Sequence, residues 1–287
     1  MLVSAVIALK PAEIATIHAD QGRAMNDIFL GWVQARDAAL SAELHQGSEI
    51  RPYTVSDLRG ASPAGSSRVL HPEKTLWWRI TTLQERLSRL LLEHILPALP
   101  DHILLGEGQD PHRLDITACH TSPSSHPWAN VITYEELTQS RLMAARKPRT
   151  ARTIEFVTPT VFRSKQRILP FPLPELVVNQ WVNKWNNFAP IQFPAGMQAF
   201  AAESLAVSRY VLRSHTVRQF GGYLLGFTGR VTYIALEEDA YWQRAFQTLT
   251  DFAFYCGTGA KTSFGLGQTR PINLNRAKII QKDPGAG

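Results

Sequence analysis

The sequence predicts an α+β fold of two tandem ferredoxin-like units, and three observations carry that expectation. A β-α-β-β-α-β order of strand-like and helix-like periods runs once through the first half of the chain and again through the second. A Ser/Pro/His stretch, Thr121 to Pro127, separates the two runs. The length, 287 residues, suffices for two domains that each bury a core. The expected boundaries are 1–125 for the first unit, 126–150 for an interdomain helix and basic linker, and 151–287 for the second unit.

Leu2 to Leu9 is a predominantly apolar run, short enough for a buried strand, and Pro11 stops it. After Gly22, apolar residues recur at Met25, Ile28, Phe29, Trp32 and Val33, which is helical spacing, and a second helical piece runs from Ala38 to Leu44, ending at His45. Tyr53 to Leu58 is strand-like, and the Gly/Ser/Pro-rich run from Gly60 to Ser67 is expected to be a loop. Thr75 to Thr82 resumes as a strand. Leu83 to Leu99 places Leu83, Leu87, Leu90, Leu91, Ile95 and Leu99 on one helical face, and Arg113 to His120 closes the first unit as a strand.

Thr133-x-x-Glu136 opens a short helix at the joint, because a threonine and a glutamate at that spacing satisfy each other's backbone N–H groups. In the second unit, Thr153 to Thr158 is a strand, and Pro159 to Pro174 brackets a basic hairpin. Pro174 to Phe188 is a helix through Leu176, Val177, Trp181 and Trp185. Leu205 to Leu212 and Gly222 to Leu236 are strands, Asp239 caps a helix, and Gln268 to Leu274 is the final strand.

A composition of 44% hydrophobic and 19% charged residues is that of a soluble globular protein. The first apolar run has no basic region before it and ends at Lys10-Pro11, so neither a signal peptide nor a membrane span is expected. Two cysteines, far apart and without metal-ligand spacing, fit reduced thiols in a cytoplasmic protein. The formal charge of +6 favours a polyanionic partner, and its distribution says more than its total. Between Arg141 and Arg167 eight basic residues face one acid, Glu155, and Arg209, Arg213, Arg218 and Arg230 continue the excess. Arg163, Lys165 and Arg167 share one short hairpin, where their mutual repulsion is relieved by an anion. Arg146 to Arg152 reads equally as a solvated linker.

Gly257-Thr258-Gly259-Ala260-Lys261-Thr262-Ser263-Phe264-Gly265-Leu266-Gly267 packs four glycines around one lysine. Glycine lets backbone approach another group closely, and freed N–H groups attract phosphate. The nucleoside triphosphate loop needs glycine where Ala260 stands, and the dinucleotide fingerprint needs one where Thr262 stands, so neither applies. Gly257, Gly259 and Lys261 are the residues of this loop expected to meet a phosphate backbone, whereas Gly265 and Gly267 fit tight packing. No pair among nine histidines has metal-motif spacing, which leaves metal-free acid–base work for His18, before the first helix, and His45, at the end of the second.

Several of these segments, in this order, resemble one family. Tyr255 to Arg270 is similar to its Gly-x-Gly-x-Lys-Thr then Gly-apolar-Gly-Gln-x-Arg signature. Phe156 to Arg163, with Pro170-Phe171-Pro172, resembles its Ser/Thr-Pro-Thr-x-Phe-Arg hairpin. Gly222 to Gly229, Gly22-Arg23-Ala24-Met25 and Pro52 to Leu58 fit as well. The family is the CRISPR-associated repeat-RNA endoribonucleases, Cas six, of the RAMP superfamily. The resemblance implies two ferredoxin-like, RRM-like units and cofactor-free, metal-independent cleavage of CRISPR repeat RNA. In that reaction a 2′-hydroxyl attacks the adjacent phosphate, leaving a 2′,3′-cyclic phosphate and a 5′-hydroxyl. It further implies His45 as the base or acid, with His18 as its substitute and Arg23 as a phosphate contact. Arg163, Lys165, Arg167, Arg209, Arg213, Gly257, Gly259 and Lys261 are the implied RNA contacts. Partners would be repeat RNA or crRNA and other Cas proteins of an effector complex, with no membrane. One position departs: Asn26 stands where many relatives carry a histidine, and asparagine takes no proton near neutral pH. The alternative is therefore a non-cleaving crRNA-binding subunit of an effector complex.

Overall fold

The computed structural model describes residues 1–46, 50–64, 67–106, 111–145, 147–164, 167–219 and 222–272. The first half comprises β1 (Leu2–Pro11), β2 (Ala15–His18), α1 (Gly22–Arg36), α2 (Ala38–Gln46), β3 (Tyr53–Val55), β4 (Ser62–Ala64), β5 (Ser67–Leu70) and β6 (Leu76–Thr82). It continues through α3 (Glu85–Arg89), β7 (His102–Leu105), β8 (His112–His120), β9 (Asn130–Ile132) and α4 (Tyr134–Leu142). The second half comprises β10 (Ala151–Thr160), β11 (Phe162–Ser164), β12 (Arg167–Leu169), α5 (Pro174–Phe188), α6 (Gly196–Glu203), β13 (Leu205–Gln219), β14 (Gly222–Ala235), α7 (Ala240–Cys256) and β15 (Thr269–Ile272).

The two main sheets repeat one topology. In the first the order is β3-β6-β1-β8, extended by β7, with β9 on β1; in the second it is β13-β14-β10-β15. All these pairings are antiparallel, and each unit's first strand is central with its last strand beside it, which is the ferredoxin-like arrangement. Helices α1 and α3 cover one face of the first sheet through Met25, Phe29, Val33 and Leu87. Helices α5 and α7 do the same for the second through Val177, Trp181, Leu249 and Phe252.

Sequence expectation and structure differ at several elements. The expected loop from Gly60 to Ser67 contains β4 and the start of β5, which join β2 in a small three-stranded sheet. Composition could not show that partner, because strand formation there depends on a distant edge. The run Leu83 to Leu99 is not one regular helix: α3 widens to a π-helical turn at Leu90–Ile95 and tightens to a 3₁₀ turn at Leu96–Ala98. Pro97 explains the change, since it lacks an N–H for the i−4 carbonyl and its ring crowds that turn. Strands β2, β7 and β9 and helix α6 had no sequence signal strong enough to place them. The expected final strand ends at Ile272, and its last two residues lie outside the described residues.

Strand β1 is apolar over most of its length because both its faces are covered. Val3, Ala5, Ile7 and Leu9 enter the core under α1, while Leu2 joins the second unit's core and Val6 packs with Trp128. Where the units meet, Arg79 is buried, 1% exposed, between the rings of Trp128 and Phe254 at 4.8 and 4.3 Å. It donates to Ser4 Oγ at 2.8 Å, to Gln268 Oε1 at 2.7 Å and to the Phe254 carbonyl. Burial pushes this guanidinium down to about 9. Thr81 Oγ1 donates to the Tyr255 carbonyl at 2.6 Å, and the Gly265 N–H to the Val55 carbonyl at 3.0 Å. The two units are thus bolted by buried polar groups.

Arg79→Met would leave the Gln268 and Phe254 oxygens without that donor. Each buried acceptor so orphaned costs about 1–3 kcal/mol. A lower unfolding midpoint in calorimetry is the expected result, and an unchanged midpoint would show that the bolt is dispensable.

Candidate functional site

The glycine-rich segment is the strut between α7 and β15, and it is folded against its own chain. The Thr258 N–H donates to the Gly267 carbonyl at 2.9 Å, the Ala260 N–H to Val161 at 2.8 Å and the Gly267 N–H to Pro159 at 3.0 Å. A Cβ added to Gly257 or Gly259 would lie 2.9 Å from the Gly267 carbonyl oxygen or 2.5 Å from that of Val161. Both glycines are buried. The close approach they permit is therefore filled by protein backbone, which corrects the expectation that they meet RNA. Below the loop, buried Lys184 donates to the Cys256 carbonyl at 2.5 Å and to Thr262 Oγ1 at 3.2 Å. Burial holds its ammonium below the ordinary lysine range.

Lys261 is the residue this loop turns outward. It adopts a left-handed conformation, φ 61°, and its ammonium lies 5.4 Å from the Phe264 ring centroid. Burial lowers its pKa, and the Arg163 and Arg51 guanidinium groups lower it further. Cations from three elements (the glycine loop, hairpin strand β11 and the approach to β3) thus interact electrostatically. Like charges that repel one another call for an anion.

Arg51 reaches the end of α2, the helix that carries His45. Its Nη1 donates to the Leu44 carbonyl and to Tyr53 Oη, each at 3.0 Å. Tyr53 in turn donates to Asn26 Oδ1 at 3.0 Å. Asn26 is buried at 3% exposure, so it stands behind Tyr53 as a structural acceptor and not at the surface. His45 is exposed on the last turn of α2 with Nδ1 2.8 Å from the Ser41 carbonyl oxygen. A carbonyl only accepts, so Nδ1 carries the proton and the lone pair of the neutral ring is on Nε2. That leaves Nε2 able to take a proton from a bound hydroxyl.

His18 and Arg23 lie together elsewhere. Both line a cleft of about 840 Å³ whose wall also includes Asp20, His112, Arg218 and Phe264. His18, Arg218 and Phe264 also line an adjoining cleft of about 570 Å³, with His215 and Tyr223. Phe264 thus stands between the Lys261 cations on one side and the His18 clefts on the other, while His45 lines neither cleft. Arg163 and Arg167 are exposed on the β11–β12 hairpin; Lys165 lies outside the described residues. Arg209 and Arg213 are exposed on β13, and Arg213 lines a separate groove of about 590 Å³ with Arg230 and Arg270. There Glu155 accepts from Arg230 at 2.9 Å and Arg270 at 2.7 Å. Burial works against its ionisation, yet those two guanidinium groups hold the carboxyl below its ordinary range.

Sequence reasoning missed Arg51 and Phe264 as site residues and gave Arg218 only as part of a charge excess. Arg51 immediately precedes the Pro52-Tyr53-Thr54 segment, and that adjacency was the available signal. Among the described residues no group of three or more metal-ligating side chains forms, and no helix is long and apolar enough to cross a membrane.

Comparison with known proteins adds a second line of observation. The CRISPR Cas6 N-terminal domain matches residues 1–139, and the CRISPR-associated endoribonuclease Cas6 domain matches residues 154–269. A solved Thermus thermophilus Cas6 product complex is similar over 95% of this chain and 100% of that one, with 27% identity and a TM-score of 0.78. A second Cas6 product complex is similar over 95% of this chain and 99% of that one, with 26% identity and a TM-score of 0.74. A CRISPR-associated endoribonuclease Cas6 from Mycobacterium tuberculosis is 27% identical over 145 residues, which is 50% of this chain and 46% of that relative.

Proposed function

The chain belongs to the CRISPR-associated endoribonuclease Cas6 family, and from that premise we propose that it binds CRISPR repeat RNA and cuts it by metal-independent transesterification. The observation that carries this reading is the hydrogen bond from Arg51 Nη1 to the Leu44 carbonyl, which seats a guanidinium beside the residue that precedes His45. His45 Nε2 accepts the proton of the 2′-hydroxyl as the O2′–P bond forms. Arg51 and Lys261 offset the charge that builds on the phosphorane oxygens. The P–O5′ bond then breaks and O5′ takes up a proton, leaving a 2′,3′-cyclic phosphate and a 5′-hydroxyl. Only RNA carries that nucleophile. Arg163 and Arg167 extend the cationic track along the hairpin, and Arg23 and His18 hold RNA in the neighbouring cleft.

Incubation with the matching repeat RNA in excess EDTA tests the reading. Cleavage is the expected outcome; binding without cleavage would favour a crRNA-holding subunit, and neither would leave only the scaffold. The affinity should also fall with salt, log K dropping by about 0.7 per decade of salt for each phosphate neutralised on a single strand. A flat salt response would remove the cationic track from the account.

A further inference from the structure

Arg51 is placed by a tyrosine whose own proton is placed by an asparagine. Arg51 Nη1 carries two N–H bonds, and it donates to the Leu44 carbonyl and to Tyr53 Oη, each at 3.0 Å. A guanidinium only donates, so the Tyr53 oxygen accepts there and its single proton must go elsewhere. It goes to Asn26 Oδ1 at 3.0 Å. Asn26 Nδ2 in turn donates to Asp27 Oδ1 at 3.3 Å, and an ionised carboxylate only accepts, which fixes the way the amide faces. A reversed amide would set N–H groups against the Tyr53 oxygen from both sides and leave the phenol proton without an acceptor. Tyr53 and Asn26 are 0% and 3% exposed, so water does not compete for these groups. Burial raises the Tyr53 pKa above the ordinary phenol value, which keeps the proton on its oxygen.

The arrangement orients Arg51. With both Nη1 protons committed, an oxyanion is met by the opposite edge, where Nε and Nη2 present the parallel pair of N–H groups that a phosphate accepts. Arg51 Cζ also lies 5.9 Å from the Tyr53 ring centroid, so ring and hydroxyl hold the same side chain. The ring is seated in the core, 5.2 Å from that of Phe29 on α1, and its strand β3 is paired to β6. A half-buried arginine without such partners spreads over many rotamers, and that spread is an entropy cost at the moment a phosphate is bound. Here the order is set from the core outward. Strand β3 and helix α1 place Tyr53 and Asn26, those two place Arg51, and Arg51 sits at the carbonyl of the residue before His45.

We infer that Tyr53 and Asn26 are positioning residues for the cleavage: they hold the Arg51 guanidinium with its Nε–Nη2 edge toward the phosphate beside His45. This role rests on the reading of Arg51 as a group that offsets the phosphorane charge. Tyr53→Phe tests it, because the substitution deletes the hydroxyl and keeps the ring in the core. Single-turnover cleavage of the matching repeat RNA at saturating enzyme, and RNA affinity, are compared for wild type, Tyr53→Phe, Arg51→Gln and the double variant. Tyr53→Phe is expected to cut about 10–100-fold more slowly, the scale for a misplaced group at the reacting atoms, with affinity close to wild type. In the Arg51→Gln background the same substitution should cost nothing further, since no guanidinium is left to place. Asn26→Leu removes the acceptor at similar volume and should follow the same pattern, so the role stays testable if Tyr53→Phe folds poorly by circular dichroism. Rate losses that multiply in the double variants overturn the positioning role while Arg51 keeps its part, and so does a wild-type rate in Tyr53→Phe. Wild-type cleavage by Arg51→Gln removes Arg51 from the reaction and the positioning role with it.

Discussion

His45→Ala is expected to slow single-turnover cleavage of the matching repeat RNA by about 10²–10⁴-fold, the range for removing a general acid–base group. RNA affinity should stay close to wild type. His45 is exposed and, among the described residues, its ring hydrogen-bonds the Ser41 carbonyl, so its loss disturbs neither core nor sheet. The cations proposed to attract the phosphate, Arg51, Lys261 and Arg163, remain in place. Rate and affinity should therefore separate, as they do when an interaction acts in the transition state alone. Wild-type cleavage by this variant would transfer the proton role to His18. Loss of affinity together with rate would make His45 a binding residue. The unchanged circular dichroism expected of an exposed substitution guards against misfolding as the cause.

Gly22→Ala is expected to damage stability and cleavage together. A Cβ at Gly22 would lie 2.0 Å from the Phe264 carbonyl oxygen, 2.3 Å from its carbon and 2.8 Å from the Gly265 nitrogen. All three are backbone atoms, which cannot rotate away as a side chain would. Either the first turn of α1 shifts or the turn at Thr262–Phe264 leaves its seat against Val55. Overpacking of this kind costs about 1–3 kcal/mol, several degrees of unfolding midpoint for a chain of this size. Arg23, Phe264 and Lys261 all ride on the displaced segments, so cleavage should fall as well. Gly31→Ala is the control: it lies on the same helix with nothing within 4 Å of the added carbon. Alanine there should be neutral or stabilising by up to about 1 kcal/mol. Equal effects of the two substitutions would refute the steric account.

Much of this architecture was legible because helices and covered strands print their surroundings on the sequence. The run Leu2 to Leu9 shows a strand covered on both faces, and Trp181 with Trp185 shows the buried face of α5. Pairing partners left no such trace. Strands β4 and β5 form because β2 supplies an edge, and Ser62-Pro63-Ala64 alone gives no hint of it. The glycine loop was found by its spacing, but spacing cannot say what approaches a glycine. For Gly257 and Gly259 it is the protein's own carbonyls, and Lys261 alone of those three faces outward. Asn26 shows the same limit: a substitution that looks chemical in the sequence is explained in the fold by the Tyr53 hydroxyl it accepts. Arg51 acquires meaning only once the Leu44 carbonyl, at the end of α2, is seen to accept from it.

The central claim is that the RNA's own 2′-hydroxyl is the nucleophile, and the ends of the product report it directly. After cleavage in EDTA, mass spectrometry of the 5′ fragment should show a 2′,3′-cyclic phosphate, with a 5′-hydroxyl on its partner. A 3′-hydroxyl paired with a 5′-phosphate would mean that water made the attack, and would contradict the account.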